Sequence, residues 1–330
     1  MQRVPAVLLV VLVTLSFAAP AMSQGRSEVP VTLGFSVDGR AAWLYVGMYR
    51  GYFSQEGLSV RVLRGFGTEA AAQTVDQNRF LFGVNIDLTS VMVLRQRGSD
   101  VKGVMVINAR SPHGLQAFAD KNLRTPKDLE GMSIGLQPGT AGARMLPIFL
   151  RVNNVDPTKV RIVPLSSDVY VSAFLSGRID VINGFYDALY QTVRLQGEKR
   201  GRPLAALWNK DWGLDTYGTL LIAKEATLRD RPDLVRRFMR AAKRSIDAAK
   251  ADPEKAITMM RVSVPEVDAE LALAQWKALL EIGEDGKTPR GCADLRRMQQ
   301  SVDTYREAFE ITEPMTAGSV FTNDFMSWCK

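Results

Sequence analysis

The sequence predicts an α/β protein of two lobes, each a mostly parallel sheet flanked by helices, joined by a hinge that the chain crosses twice. Three observations carry this. Short β-branched runs alternate with helical segments, the pattern of parallel strands joined by crossover helices. The strand–helix–strand logic starts twice, once at Val31 and again at Ser133. After Ala223 the chain turns almost wholly helical, as a segment returning to the first lobe would.

Residues 1–23 carry one charge, Arg3, then an apolar run from Ala6 to Ala19 and small residues. The run is too short to cross a bilayer, so the expectation is a cleaved secretory leader and a periplasmic mature chain. Cleavage is expected after Ser23 in Ala21-Met22-Ser23, with Ala19-Pro20-Ala21 as the second candidate. The remainder suffices for two domains. At 46% hydrophobic and 23% charged it is ordinary globular material.

Strands are expected at Val31–Phe35, Val60–Leu63, Phe80–Val84 and Gly103–Asn108 in the first lobe. The second lobe has Gln116–Ala119, Ser133–Leu136, Val160–Pro164 and Val181–Gly184, and Thr219–Ala223 follows. Helices fall between them, including Trp43–Arg50, Thr68–Asn78, Thr89–Gln96, Gly142–Val152, Val169–Ser176 and Asp187–Leu195. The helical tail comprises Asp233–Ala251, Pro253–Arg261, Glu266–Leu280, Leu295–Phe309 and Asn323–Trp328. Lobe 1 is therefore expected to hold residues 24–115 and 223–330, and lobe 2 residues 116–222.

The formal charge is +7. The basic residues are not interleaved with aromatics, so no nucleic-acid partner is expected. Much of the excess lies between Arg229 and Arg244, which reads as the solvated face of an amphipathic helix with Leu234, Phe238, Ala241 and Ala242 inside, the alternative being a face that docks to a partner. One histidine and two cysteines cannot assemble a metal set. Cys292 and Cys329 are expected to bond in an oxidising compartment, the alternative being two unpaired thiols.

Catalysis has little support. His113 is the sole histidine and lacks the partners of a triad or zinc motif, so it reads as a hinge or surface residue, or a contact lining the cleft. No cofactor is expected. Ligands of open α/β sheets bind beyond the carboxyl ends of strands, which nominates Ser36, Asp38, Arg40 and Trp43 after the first strand. Phe66 between two glycines, and Asn85 and Asp87 after the third strand, complete that lobe. The second lobe contributes Thr140, Phe185, Tyr186, Asp187 and Trp212. Thr140 reads equally as a plain N-cap or as a contact at a helix N-terminus that attracts acceptor atoms. Aromatics at strand ends of both lobes point to a flat, unsaturated ligand stacked between them.

The residues Leu44-Tyr45-Val46, Gly51-Tyr52-Phe53, Glu56-Gly57-Leu58, Phe82-Gly83-Val84, Asp128-Leu129-Glu130-Gly131, the run Leu175 to Asp180, and Phe321 to Phe325 resemble bacterial periplasmic solute-binding proteins of the thiamine-pyrimidine/sulfonate/nitrate class. The resemblance spans essentially the whole mature chain. It implies a type II periplasmic binding protein, a monomer that closes on a small-molecule solute and delivers it to an ABC permease in the inner membrane. The pyrimidine branch is nearest, through Phe185-Tyr186 and the run Gly213 to Tyr217, but the chain departs from it after the first strand. Phe35 stands where that branch usually has tryptophan. Eukaryotic relatives that synthesise the pyrimidine use an active-site cysteine cluster and a histidine, whereas this chain has no cysteine before Cys292. The expected function is capture of a planar or heterocyclic solute, not turnover. The alternative is a sulfonate, nitrate or other small anion held by Arg40 and the helix start at Thr140.

Overall fold

A computed structural model describes residues 25–309 and 311–329; the expected leader lies outside them. The strands are β1 (Ser27–Leu33), β2 (Leu58–Leu63), β3 (Phe82–Asp87), β4 (Val101–Val106), β5 (His113–Phe118), β6 (Ser133–Leu136), β7 (Arg161–Pro164), β8 (Val181–Phe185), β9 (Leu204–Trp208) and β10 (Thr219–Lys224). They form two five-stranded sheets, ordered β2-β1-β3-β10-β4 and β7-β6-β8-β5-β9. β1 is parallel to β2 and β3, whereas β10 is antiparallel to β3 and β4. The second sheet repeats this scheme: β6 is parallel to β7 and β8, and β5 antiparallel to β8 and β9. Each lobe is thus a parallel sheet with one reversed strand, and that strand is the first one formed after a crossing.

The crossings run through residues 107–112 and 209–218. His113 to Leu115 pair in the second sheet and Thr219 to Ile222 in the first. The expected lobe boundaries at 115/116 and 222/223 lie a few residues into β5 and β10, the first strands after the crossings. β9 was not anticipated: Leu204-Ala205-Ala206-Leu207-Trp208 follows a Gly-Arg-Pro linker and becomes a strand only by pairing with β5. The helix expected at Asn323–Trp328 is instead a turn followed by one 3-10 turn at Ser327–Cys329.

The central strands are covered on both faces: every residue of β3 and of β5 is buried, the polar Asn85, Asp87, His113 and Gln116 included. The long helix Pro232–Ala251 buries Leu234, Phe238, Ala241 and Ala242 as expected, together with Val235, Met239 and Ile246. Phe238 stacks on Phe82 with ring centroids 4.3 Å apart and on Phe53 at 5.3 Å. The first helix (Ala42–Tyr49) ends at Gly51, whose φ of 72° is the left-handed conformation that glycine tolerates. That turn swings Phe53 into the core. Gly51-Tyr52-Phe53 is thus a packing motif of the scaffold.

The C-terminal segment covers the edge strand β4. Thr322 N–H donates to the Gly103 carbonyl at 3.0 Å, and a Cβ on Gly103 would sit 2.7 Å from the Phe321 ring. Cys292 and Cys329 are bonded, which ties this cover down. No helix of the described residues is long and apolar enough to cross a membrane.

Candidate ligand site between the lobes

Strand order reverses between β1 and β3 in one sheet and between β6 and β8 in the other. The carboxyl ends at such reversals open a crevice, the usual ligand position in open α/β sheets. In lobe 1 these ends are Gly34 to Arg40 and Asn85 to Asp87; in lobe 2 they are Gln137 to Thr140 and Asn183 to Asp187. Arg40 and Asp38 of the first set lie close enough to Asp187 of the second to act on its charge, so the crevices face one another.

Asp38 caps a 3-10 turn (Gly39–Ala41) by accepting from Arg40 N. It also grips the Arg40 side chain, with Oδ1 accepting from Nε at 3.1 Å and Oδ2 from Nη2 at 2.7 Å. Burial alone would push the Arg40 guanidinium down, but the carboxylates of Asp38 and Asp187 outweigh it and hold it above its ordinary range. Asp187 comes from the other lobe. Burial raises its carboxyl above the ordinary value, opposed by Arg40 and by the Asn108 amide, which donates to Oδ2 at 2.9 Å. Oδ1 of Asp187 is enclosed without a hydrogen-bond partner among the described residues, as is Oδ1 of Asn85. Asn85 sits at φ 59°, a left-handed conformation asparagine accepts, near the end of β3.

A second pair lies beside this cluster. Asp87 caps the helix Leu88–Gln96, accepting from Thr89 N at 2.9 Å and Thr89 Oγ1 at 2.5 Å. Its Oδ2 lies 2.9 Å from His113 Nε2 of β5. Burial would raise the Asp87 carboxyl, but the imidazole and the Thr89 donors hold it below its ordinary value. Phe185 stands edge-on to the His113 ring, centroids 4.6 Å apart.

Of the residues nominated from sequence, Asp38, Arg40, Asn85, Asp87, Phe185 and Asp187 are drawn together here. Ser36 is half-buried on the same loop, and Phe66 is 74% exposed with the Arg64 guanidinium over its ring. Thr140 is a true N-cap: its Oγ1 accepts from Ala143 N at 3.3 Å and donates to the Gln137 carbonyl at 2.8 Å. Three nominations need correction. Trp43 is 1% exposed and packs in the hydrophobic core on a helix buried from Ala42 to Gly47, with its Nε1 enclosed and without an acceptor among the described residues. The Trp212 carbonyl accepts from Asn153 Nδ2 at 3.2 Å, and its half-buried indole packs against the hydrophobic core. Tyr186 points its hydroxyl across the lobes to Glu281 Oε2 at 2.6 Å and packs on Tyr190 and Trp208. It bridges the lobes at their surface. The pairing also removes Arg40 as a free anion contact, because its two-donor edge is filled by Asp38.

Sequence reasoning left His113 open and did not reach Asn108, Thr89 or the pair Glu69–Arg144. His113 had a signal, as the single histidine at a crossing. Asn108 and Arg144 had none, because their roles arise from partners 79 and 75 residues away.

The fold and most of the sequence have known counterparts. The chain is 26% identical to a riboflavin-binding protein, RibY, of Chloroflexus aurantiacus over 94% of its length and 89% of that protein. It is 21% identical to a formylaminopyrimidine-binding protein of Halalkalibacterium halodurans, covering 91% of each. It is also 24% identical, over 76% of its length and 78% of the relative, to a 4-amino-5-hydroxymethyl-2-methylpyrimidine phosphate synthase of Legionella pneumophila. Among solved structures, the periplasmic aliphatic sulphonate-binding protein SsuA of Escherichia coli superposes with a TM-score of 0.69 at 12% identity, covering 89% of this chain and 91% of that one. The periplasmic nitrate-binding protein NrtA of Synechocystis does so with a TM-score of 0.66 at 10% identity, covering 91% and 87%. These structures establish the two-lobed periplasmic-binding-protein fold. Residues 40–256 match the family described as NMT1/THI5 like, and the chain belongs to that family.

Proposed function

We propose that this chain is a periplasmic receptor that captures a small planar nitrogen heterocycle between its lobes and delivers it to an ABC permease. The observation that carries this is the pair of enclosed acceptors, Asn85 Oδ1 and Asp187 Oδ1, at the two facing strand-order reversals. A buried acceptor without a donor costs about 1–3 kcal/mol. The ring N–H and amino groups of a pyrimidine-type solute would meet both, one from each lobe, so that binding favours closure. Riboflavin and formylaminopyrimidine, named for two near-full-length relatives, both contain such a ring.

A binding role also suits the chemistry of the cleft better than a synthase role. Both cysteines are spent in a disulfide with each other, and the only imidazole is fully enclosed against Asp87. The anion reading that rested on Arg40 loses its residue to Asp38.

A thermal-shift screen of the mature protein tests this, with riboflavin, uracil and aminopyrimidines on one side and nitrate and methanesulfonate on the other. The heterocycles should raise the midpoint by mass action. A response confined to the inorganic and alkyl anions would overturn the reading, and consumption of a bound ring would replace it with catalysis.

A further inference from the structure

Arg144 stands in the first turn of the helix Ala141–Val152, directly after the loop that ends β6. Its Nη1 donates across the cleft to Glu69 Oε2 at 2.8 Å. Glu69 lies in the first turn of the helix Thr68–Asp76, on the other lobe. The remaining oxygen of Glu69 accepts from Arg97 at 3.1 Å. One carboxylate thus serves two guanidiniums, and one positive charge is left uncancelled at this point of the cleft.

The other two nitrogens of Arg144, Nε and Nη2, are enclosed and have no acceptor among the described residues. They form the edge of the guanidinium that presents two parallel N–H donors, which a carboxylate, phosphate or sulfonate fits with two oxygens. Arg40 shows what this edge does when served: its Nε and Nη2 take both oxygens of Asp38. No side chain plays that part for Arg144, although the residue bridges the lobes and its charge is partly withdrawn from water. A donor pair left so is unfavourable unless something else supplies the oxygens.

We propose that Arg144 is the specificity residue of this cleft and that it receives an acidic group carried on the ring-bearing solute. The proposal rests on the reading of the cleft as a heterocycle site and adds the substituent. Ring donors would be met by Asn85 and Asp187, and the acid by Arg144. Because Arg144 already touches lobe 1 through Glu69, an acid on its open edge completes a charge-balanced group of two guanidiniums and two anions spanning both lobes.

Matched pairs that differ only in the acid test this: orotate against uracil, and riboflavin 5′-phosphate against riboflavin, titrated calorimetrically into the mature protein. Methanesulfonate serves as the acid without a ring. The acidic member of at least one pair should bind about 10- to 100-fold more tightly, the range of a charge-assisted two-donor contact. Arg144→Gln should abolish that preference while changing the affinity of the neutral member by less than about threefold. Arg144→Lys, which keeps the charge but not the two-donor edge, should fall between. It also supplies the test if the glutamine variant fails to fold. Equal binding of both members by the wild type, or an equal loss of both in Arg144→Gln, overturns the inference. Binding of methanesulfonate with every ring refused overturns the heterocycle reading instead, and the inference with it if Arg144→Gln still binds. Refusal of every compound overturns both.

Discussion

Nε2 of His113, the first residue of β5 in one sheet, lies 2.9 Å from Oδ2 of Asp87, the last residue of β3 in the other, with both side chains excluded from solvent. The bond joins the lobes beside the hinge. It lies directly after the first crossing, and so differs from Glu69–Arg144 and Tyr186–Glu281, which join the lobes through helix and strand-end residues beyond the hinge strands.

Removing one partner of such a pair leaves the other buried and uncompensated. His113→Ala should therefore lower unfolding stability by about 3–5 kcal/mol. The double variant with Asp87→Asn should lose less than the sum of the single losses, which urea denaturation of all four proteins would reveal. Additivity would mean that the two side chains do not act on one another.

Acid should expose the same pair. Asp87 is held below its ordinary value, so its contribution is complete above about pH 4, the unfolded carboxylate range, and is lost as pH falls through the lowered folded value. Denaturation midpoints of the wild type should bend downward below about pH 4 more steeply than those of Asp87→Asn. Parallel curves would remove Asp87 from the acid transition.

Asp187 works in the opposite sense. Its carboxyl is raised by burial, and a ring N–H donated to Oδ1 would favour the ionised form. Affinity should then weaken as pH falls through the raised value, and binding at or below that value should release a proton. Calorimetry in two buffers of different ionisation enthalpy measures that proton directly. Asp187→Asn should abolish the buffer dependence.

Trp43 and Phe66 should part company. Trp43 is 1% exposed, so Trp43→Ala should cost about 3–5 kcal/mol of stability in the unliganded protein. Phe66 is 74% exposed, and Phe66→Ala should change stability by no more than about 0.5 kcal/mol while weakening a stacked ring. Melting points and ligand titrations of the two variants separate core from contact.

The disulfide closes a loop of 37 residues, for which chain entropy predicts a contribution of about 4 kcal/mol. Cys329→Ser should lower the melting temperature and loosen the cover over β4, read as faster amide exchange at Gly103 and Val104.

Much of the architecture was legible in the residues alone. Alternating β-branched runs and helical periods mark layers and crossovers because those patterns report which face of each element is buried. The apolar positions of Pro232–Ala251 and the paired cysteines could be read without knowing their partners' coordinates. β9 could not, because its small residues acquire strand conformation only against β5. Nor could the fate of Trp43, whose indole looked like a ligand platform until the fold enclosed its helix on every side.

The site divides in the same way. Sequence determined that Asp38, Arg40, Asn85, Asp87 and Asp187 would stand at strand ends, since strand boundaries are local. Tertiary structure decided which of them are spent on each other and which remain open. Asp38 closes off Arg40 from two residues away, whereas Asp87 meets His113 across 26 residues and Glu69 meets Arg144 across 75. Whether a charged edge is filled or left to receive a ligand depends on how two separately folded sheets come together. No local pattern of residues records that.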